Sequence, residues 1–413
     1  MARFSLRFIA LCLGAVIGIY HLRQEYLRFE TSDVPVHSTV KGSRNDRVEF
    51  GTQITSTNPP ASYASKLLNK VFLETCDNTT IIPDMPVNHI PMGQPVDPYQ
   101  IVLLVSFNKY QYYEAVPYIE LLYRDYFQSI LYCGPSEPPE HMIINFQMSY
   151  VMFELESERD IGGAYIYNCM VQAINKGYDA RGILYMSDDV ILKVESIREY
   201  NWNEIWLADH WKGHNDSETT DLYLASFVDP LNQPKECYLT DVTLPCNKTL
   251  SQGWFAKLKG RILMAQDELL EKSKIETERD DQIFTNFLQF LEKRSGGKKR
   301  FFKAIADIYY LPKAYWNQFH KLAEVFLKHK LYMEIAVPTI LHGLEKLKNH
   351  PTTLIGYRHH DPSVVIPIFF NNTDWYAWHP FKLGLLLHGD SNRIQVYCSL
   401  FHAHWYRHPR HIK

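Results

Sequence analysis

The body of this chain is predicted to be α/β, built on a mostly parallel, doubly wound sheet. Three observations lead there. From about residue 98 onward, apolar runs that read as strands alternate with segments of helical spacing. The first such run, Ile101-Val-Leu-Leu-Val-Ser-Phe107, is continuously apolar rather than alternating, as expected of a strand covered on both faces. The later run Ile183 to Met186 ends on Ser187-Asp188-Asp189, so polar residues stand where a strand emerges.

Ahead of that body the sequence predicts a membrane anchor and a stem. Residues 1–7 read as a cytosolic tail. Residues 8–20, Phe8-Ile-Ala-Leu-Cys-Leu-Gly-Ala-Val-Ile-Gly-Ile-Tyr20, read as a signal-anchor transmembrane segment. This run is short for a full span and also fits the core of a cleaved signal peptide. Counted from Phe4, with Arg7 snorkelling, it suits a thin early-secretory membrane. No Ala-x-Ala-like site closes it, which favours an uncleaved anchor over a cleaved signal or a buried helix. Arg3 and Arg7 give a slight positive-inside bias against Arg23 on the other flank, so a lumenal, type II body is expected. Sequons at Asn78, Asn215, Asn247 and Asn371 agree with that compartment, each weakly. Residues 21–96 read as the stem, because Thr31 to Pro60 is rich in Ser, Thr, Asn, Pro and charge without a sustained apolar period.

Of seven cysteines, Cys12 lies in the apolar run and the others form an even set that permits disulfides. Cys237 and Cys246 bracket a polar loop and are the expected pair. Cys133 and Cys169 sit in apolar settings, where buried unpaired thiols are equally at home. No Cys-x-x-Cys occurs, so a structural zinc site is not expected.

The body falls into two halves, 97–200 and 201–413. In the first, Ile101 to Phe107 is a strand and Gln111 to Tyr126 a helix. Ser129 to Cys133 is a second strand stopped by Gly134-Pro135, and Met148 to Leu155 a weaker third. Ile161 to Lys176 is helical with Gly177 as its stop, and Ile183 to Met186 is the next strand. In the second half, Gly253 to Lys272, Asp281 to Lys293 and Phe319 to Leu331 have helical spacing, and Ala306 to Pro312 is a strand ended by proline. Gly296 to Arg300 is a basic turn with neither the preceding strand nor the spacing of a phosphate loop. A net charge of -3 is nearly balanced, so nothing in the composition argues for electrostatic capture of nucleic acid. No Gly-x-Ser-x-Gly elbow is present, which disfavours a serine hydrolase.

Aspartates are costly to bury unpartnered. A pair at a strand's carboxyl end is either turn chemistry or a chelate for a hard divalent cation whose other ligands are phosphate oxygens. In a doubly wound sheet ligands bind beyond those strand ends, which favours the metal. Two further carboxylates draw attention. Glu334 interrupts the apolar stretch Leu331 to Leu341, and Asp281 lies in Asp280-Asp281-Gln282, otherwise an ordinary acidic helix start.

The run from Asp160-Ile-Gly-Gly to Asp189, with Asn168 on a helix, the strand Ile183 to Met186 and then Ser187-Asp188-Asp189, resembles the donor-binding half of glycosyltransferases of the GT-A fold. The resemblance covers roughly residues 98 to 195, and its motifs are short. Golgi members of that fold commonly have a type II anchor and stem. The resemblance implies a Golgi membrane protein that moves a sugar from a nucleotide-sugar donor to a glycan or glycoprotein. It also implies Mn2+ or Mg2+ on Asp189, bridging the donor's diphosphate, with Asp188 on the ribose or on the metal through water. Ser106, Phe107 and Asn108 would lie near the base, and Asn168 would belong to the donor site. A C-terminal His is a third ligand in many such enzymes; His379 in Trp378-His-Pro fits best, with His388 and His402 as rivals. His359-His360-Asp361 reads as a polar turn. An inverting transferase needs a carboxylate base, for which Glu334 is the first choice and Asp281 the second. Trp375, Tyr376 and Trp378 are either a sugar-stacking platform or core. The alternative function is a catalytically inactive, lumenal GT-A-like scaffold or lectin-like partner.

Overall fold

The structure, a computed structural model, describes residues 75–76, 99–107, 113–124, 126–153, 165–198, 200–212, 226–228, 248–276, 282–294, 301–345, 351–358, 375–384 and 389–405. They belong to one compact unit, Asn58–Lys413. The expected anchor at 8–20 lies outside them. Among the described residues no helix is long and apolar enough to cross a membrane.

The expectation of an α/β chain with a mostly parallel sheet holds. Eleven strands are present among the described residues: β1 (Tyr99–Ser106), β2 (Phe127–Gly134), β3 (Ser149–Met152), β4 (Gly182–Ser187), β5 (Ile191–Leu192), β6 (Trp206–Lys212), β7 (Ser226–Val228), β8 (Phe301–Lys303), β9 (Ile308–Pro312), β10 (Thr352–Arg358) and β11 (Ala377–His379). Nine of them form one mixed sheet in the order β3-β2-β1-β4-β9-β6-β10-β11-β5, while β7 and β8 pair separately. The β3-β2-β1-β4 run is parallel throughout. β9 enters antiparallel between β4 and β6, and β10 and β11 continue parallel to β6. β5 closes the edge antiparallel to β11.

The helices are α1 (Val116–Tyr123), α2 (Glu140–Phe146), α3 (Asn168–Asn175), α4 (Lys248–Ile275), α5 (Ile283–Arg294), α6 (Trp316–Lys328), α7 (Met333–Leu344) and α8 (Ser391–Trp405). Side chains alternate across a strand, so Val102 and Leu104 of β1 enter one core with α3, α5, α6 and α7. Ile101, Leu103 and Val105 enter a second core with α1 and α8. Helical cover on both faces explains why β1 reads as an unbroken apolar run, and is compatible with a doubly wound fold.

Local chemistry sets several boundaries. A proline in the first turn starts α1, where its missing N–H costs nothing. Gly177, at φ +71°, ends the segment after α3 as expected. Glu276, just past α4, accepts from the backbone N–H groups of Phe284 and Thr285 at 2.9 Å each and so caps α5. The sequence did not lead us to expect β6, β10 or α8.

The cysteines bring one surprise. Cys133, near the end of β2, and Cys169, at the start of α3, form a disulfide with an S–S distance of 2.05 Å; they are not unpaired thiols. Cys76, within the expected stem, is joined to Cys398 of α8. Cys237 and Cys246 lie outside the described residues.

Candidate metal centre

The site grows from the carboxyl end of β4, which is buried along its whole length. From β1 the chain winds outward through β2 and β3 on one side, whereas β4 lies on the other. The β1/β4 crevice is therefore a topological switch point, the usual place for a ligand in such sheets. The backbone N–H of Asp188 donates to the carbonyl of Ser106 at 2.9 Å, so the acidic pair is tied to the end of β1. Beneath it Ser106 Oγ donates to Tyr185 Oη at 2.7 Å, and the Tyr185 ring stacks on Tyr309 with centroids 4.6 Å apart.

Two pairings bring further residues to that edge. β9 runs antiparallel to β4, with Ile308 opposite Met186, so the residue preceding β9 meets the residue that ends β4. That residue is Asp307. Its carbonyl accepts from the Ser187 N–H at 2.9 Å and its Oδ1 from Ser187 Oγ at 3.1 Å. On the other flank the chain leaving Asp189 forms β5, whose Ile191 and Leu192 pair with Trp378 and Ala377 of β11. This antiparallel register returns His379 to Asp189. The Phe381 N–H then donates to the Asp189 carbonyl at 2.5 Å. The same turn is held from α8. Arg393, which is buried, donates from Nε to the Phe381 carbonyl at 2.6 Å and from Nη1 to Asp390 at 2.6 Å.

Three ligand atoms converge as a result. His379 Nε2 lies 3.5 Å from Asp189 Oδ2 and 3.4 Å from Asp307 Oδ2. Together Asp189, Asp307 and His379 offer one atom each, all within 4.8 Å of one another. Ligands about 2.1 Å from a common ion stand about 3.0 Å apart at a right angle and about 3.4 Å apart at the tetrahedral angle. Two carboxylates and an imidazole at these separations fit a divalent cation such as Mn2+ or Mg2+. Lys382 Nζ also lies 2.6 Å from Asp189 Oδ2.

The two adjacent aspartates are pushed in opposite directions. Burial, and then the charge of Asp189, push the Asp188 carboxyl well above the usual carboxylate range. Burial acts the same way on Asp189 but is overruled by His379 and Lys382, whose charges and hydrogen bonds hold its carboxyl well below that range. Asp189 is thus the ready ligand, and Asp188 the carboxyl of the pair that holds a proton more strongly.

Glu334 occupies the first turn of α7. That turn is fixed beside the site, because Tyr185 Oη donates to Met333 Sδ at 3.6 Å and the Glu334 carbonyl accepts from Ala304 at 3.0 Å. Its side chain reaches solvent, yet desolvation is the first cause pushing its carboxyl up, with the charge of Asp307 adding to it. Lys303 acts in the opposite sense.

Other expected site residues are placed differently. The side chains of Ser106 and Phe107 are fully buried; Phe107 packs edge-on against Tyr113 at 4.9 Å. What Ser106 presents at the crevice is its carbonyl. Asn168 opens α3 beside the Cys133–Cys169 bridge, at the β2 side of the same edge. Trp375 and Trp378 are buried, and Trp378 packs on Phe381 at 4.9 Å, so both are core and not an open platform. Asn108, Asp281, His359, His360, Asp361 and His388 lie outside the described residues, and His402 lies in α8. Sequence reasoning missed Asp307. Its one signal was an aspartate directly before an apolar strand, the mirror image of Asp188 directly after one.

No protein-family model, curated protein or solved structure matches this chain.

Proposed function

We propose that the protein is a metal-dependent glycosyltransferase with a GT-A-like fold and a C-terminal extension. In this reading it is held in the Golgi membrane by residues 8–20 in a type II orientation, and transfers a sugar from a nucleotide-sugar donor to a glycan or glycoprotein. The observation that carries the proposal is the convergence of Asp189, Asp307 and His379 at the switch point of a mostly parallel sheet. An Mn2+ or Mg2+ ion held there would supply Lewis-acid neutralisation of charge on a departing diphosphate.

The chain's own residues supply the rest. Asp189 and Asp307 are ionisable carboxylates that both face Nε2 of His379, and the pairings of β4 with β9 and of β5 with β11 hold all three in place. Asp188, whose proton affinity burial and its neighbour raise, stands beside the metal ligand as a contact for the donor. Glu334 is the acceptor-side base. In an inverting reaction the acceptor oxygen bonds to the anomeric carbon as the bond to diphosphate breaks, and the hydroxyl proton passes to the Glu334 carboxylate. A raised carboxyl suits that role, since a base works best when its affinity for the proton approaches the working pH.

The test is thermal unfolding of the purified full-length protein with Mn2+ and a panel of nucleoside diphosphates and nucleotide sugars. A ligand that binds only the folded state raises the melting temperature. The expected result is a gain from Mn2+ plus one nucleoside diphosphate that disappears in Asp189→Ala. No shift from any nucleotide or nucleotide sugar beyond that of Mn2+ alone, in the unmutated protein, would refute donor binding and favour the inactive scaffold.

A further inference from the structure

The cation site has a resident cation of its own. Lys382 Nζ lies 2.6 Å from Asp189 Oδ2, the same oxygen that faces His379 Nε2 at 3.5 Å. The lysine backbone sits in the left-handed region, at φ +56°, where a residue with a side chain is seldom found unless its surroundings fix it. They do fix it. Phe381, just before it, is pinned by Asp189 on one side and Arg393 on the other, while Leu383, just after it, is buried. The turn therefore presents the ammonium over Asp189 while nearly half of the lysine side chain remains open to solvent.

We propose that Lys382 is the counter-ion of the metal-free site and that a divalent cation must displace it from Asp189 to bind. The inference rests on the metal reading above. An ion about 2.1 Å from Asp189 Oδ2 would stand no more than about 4.7 Å from an ammonium held 2.6 Å from the same oxygen, so the two cations compete for it. Two like charges at such a separation repel strongly in a partly buried site. The exposed side chain has room to withdraw, and the fixed backbone lets it return. Lys382 thus keeps the crowded carboxylates of Asp189 and Asp307 compatible with a folded, metal-free protein, and sets the concentration of divalent ion at which the site loads.

The experiment measures Mn2+ binding to the full-length protein by the loss of the free-ion electron paramagnetic resonance signal, with no nucleotide present. Wild type, Lys382→Met, Lys382→Gln and Lys382→Arg are compared, and melting is recorded with EDTA and with saturating Mn2+. Removing the ammonium is expected to tighten Mn2+ binding about ten-fold or more, whereas Lys382→Arg keeps the wild-type affinity. The neutral variants are also expected to melt below wild type in EDTA and at or above it in Mn2+. A lysine with only a structural role would lower both melting temperatures alike. Wild type that binds Mn2+ no more weakly than the neutral variants overturns the displacement and leaves the metal site standing. No binding by any variant overturns both, and binding by the neutral variants alone supports displacement in its strongest form.

Discussion

Asp307→Asn tests the candidate centre at the residue that completes it. The substitution is nearly isosteric. The Asn Oδ1 still accepts from Ser187 Oγ, which lies 3.1 Å from Asp307 Oδ1, so the junction of β4 and β9 is kept. What changes is the atom facing His379 Nε2 at 3.4 Å: an anionic oxygen becomes an amide N–H that cannot ligate a cation. Loss of an outer-shell partner alone costs 10–100-fold in metal affinity, and loss of a charged ligand should cost at least the upper end, about 100-fold. With Mn2+ at 100 times the wild-type dissociation constant, linkage stabilises wild type by about 2.7 kcal/mol and the variant by about 0.4 kcal/mol. For the unit Asn58–Lys413, an unfolding entropy of about 2.1 cal/mol/K per residue converts these to rises in melting temperature of about 3.6 °C and about 0.5 °C. Without metal the variant should melt no lower than wild type, because one of two facing carboxylates has lost its charge. The assay is differential scanning calorimetry with and without Mn2+. A full wild-type shift in Asp307→Asn, in a preparation where Asp189→Asn abolishes it, would refute the three-ligand site.

Glu334→Gln should lower turnover by about 10²–10⁴-fold while the Mn2+ and nucleotide shifts persist, as read from single-turnover rates beside melting curves. Its stability effect has a definite sign. The folded carboxyl is raised above its ordinary 4.5, so its contribution is fully present below that value and is lost as pH rises through the raised one. The melting temperature of wild type relative to Glu334→Gln should therefore fall with increasing pH over that interval; a flat difference would place Glu334 in an unperturbed setting. Replacing both Cys133 and Cys169 by alanine releases a cross-link between residues 36 apart in sequence, which chain entropy values at about 4 kcal/mol in urea unfolding.

Much of the sheet was legible because burial on both faces leaves a long apolar signature. β1, β2, β4 and β9 carry it, and α4, α5 and α6 carry a helical period. β6 and β10 do not. β6 reads Trp-Leu-Ala-Asp-His-Trp-Lys, with no run of either period, and becomes a strand because β9 and β10 supply its hydrogen-bond partners. α8 went unread in the His-bearing C-terminal stretch, although Val396, Tyr397, Cys398 and Leu400 join the second core. The disulfides were countable but could not be paired, since proximity of Cys133 to Cys169 depends on where α3 docks against β2.

The acidic pair could be named from local chemistry, because an aspartate at a buried strand's end is visible wherever it occurs, whereas His379 was singled out only by the family resemblance. Their assembly was not visible. Asp307 meets Ser187 across 120 residues, and Lys382 meets Asp189 across 193. Two antiparallel registers, β4 with β9 and β5 with β11, decide those meetings. A shift of either by one residue would turn its side chains to the opposite face and dissolve the centre. Residue type therefore announces what each strand end can do, and strand pairing selects which ends act together.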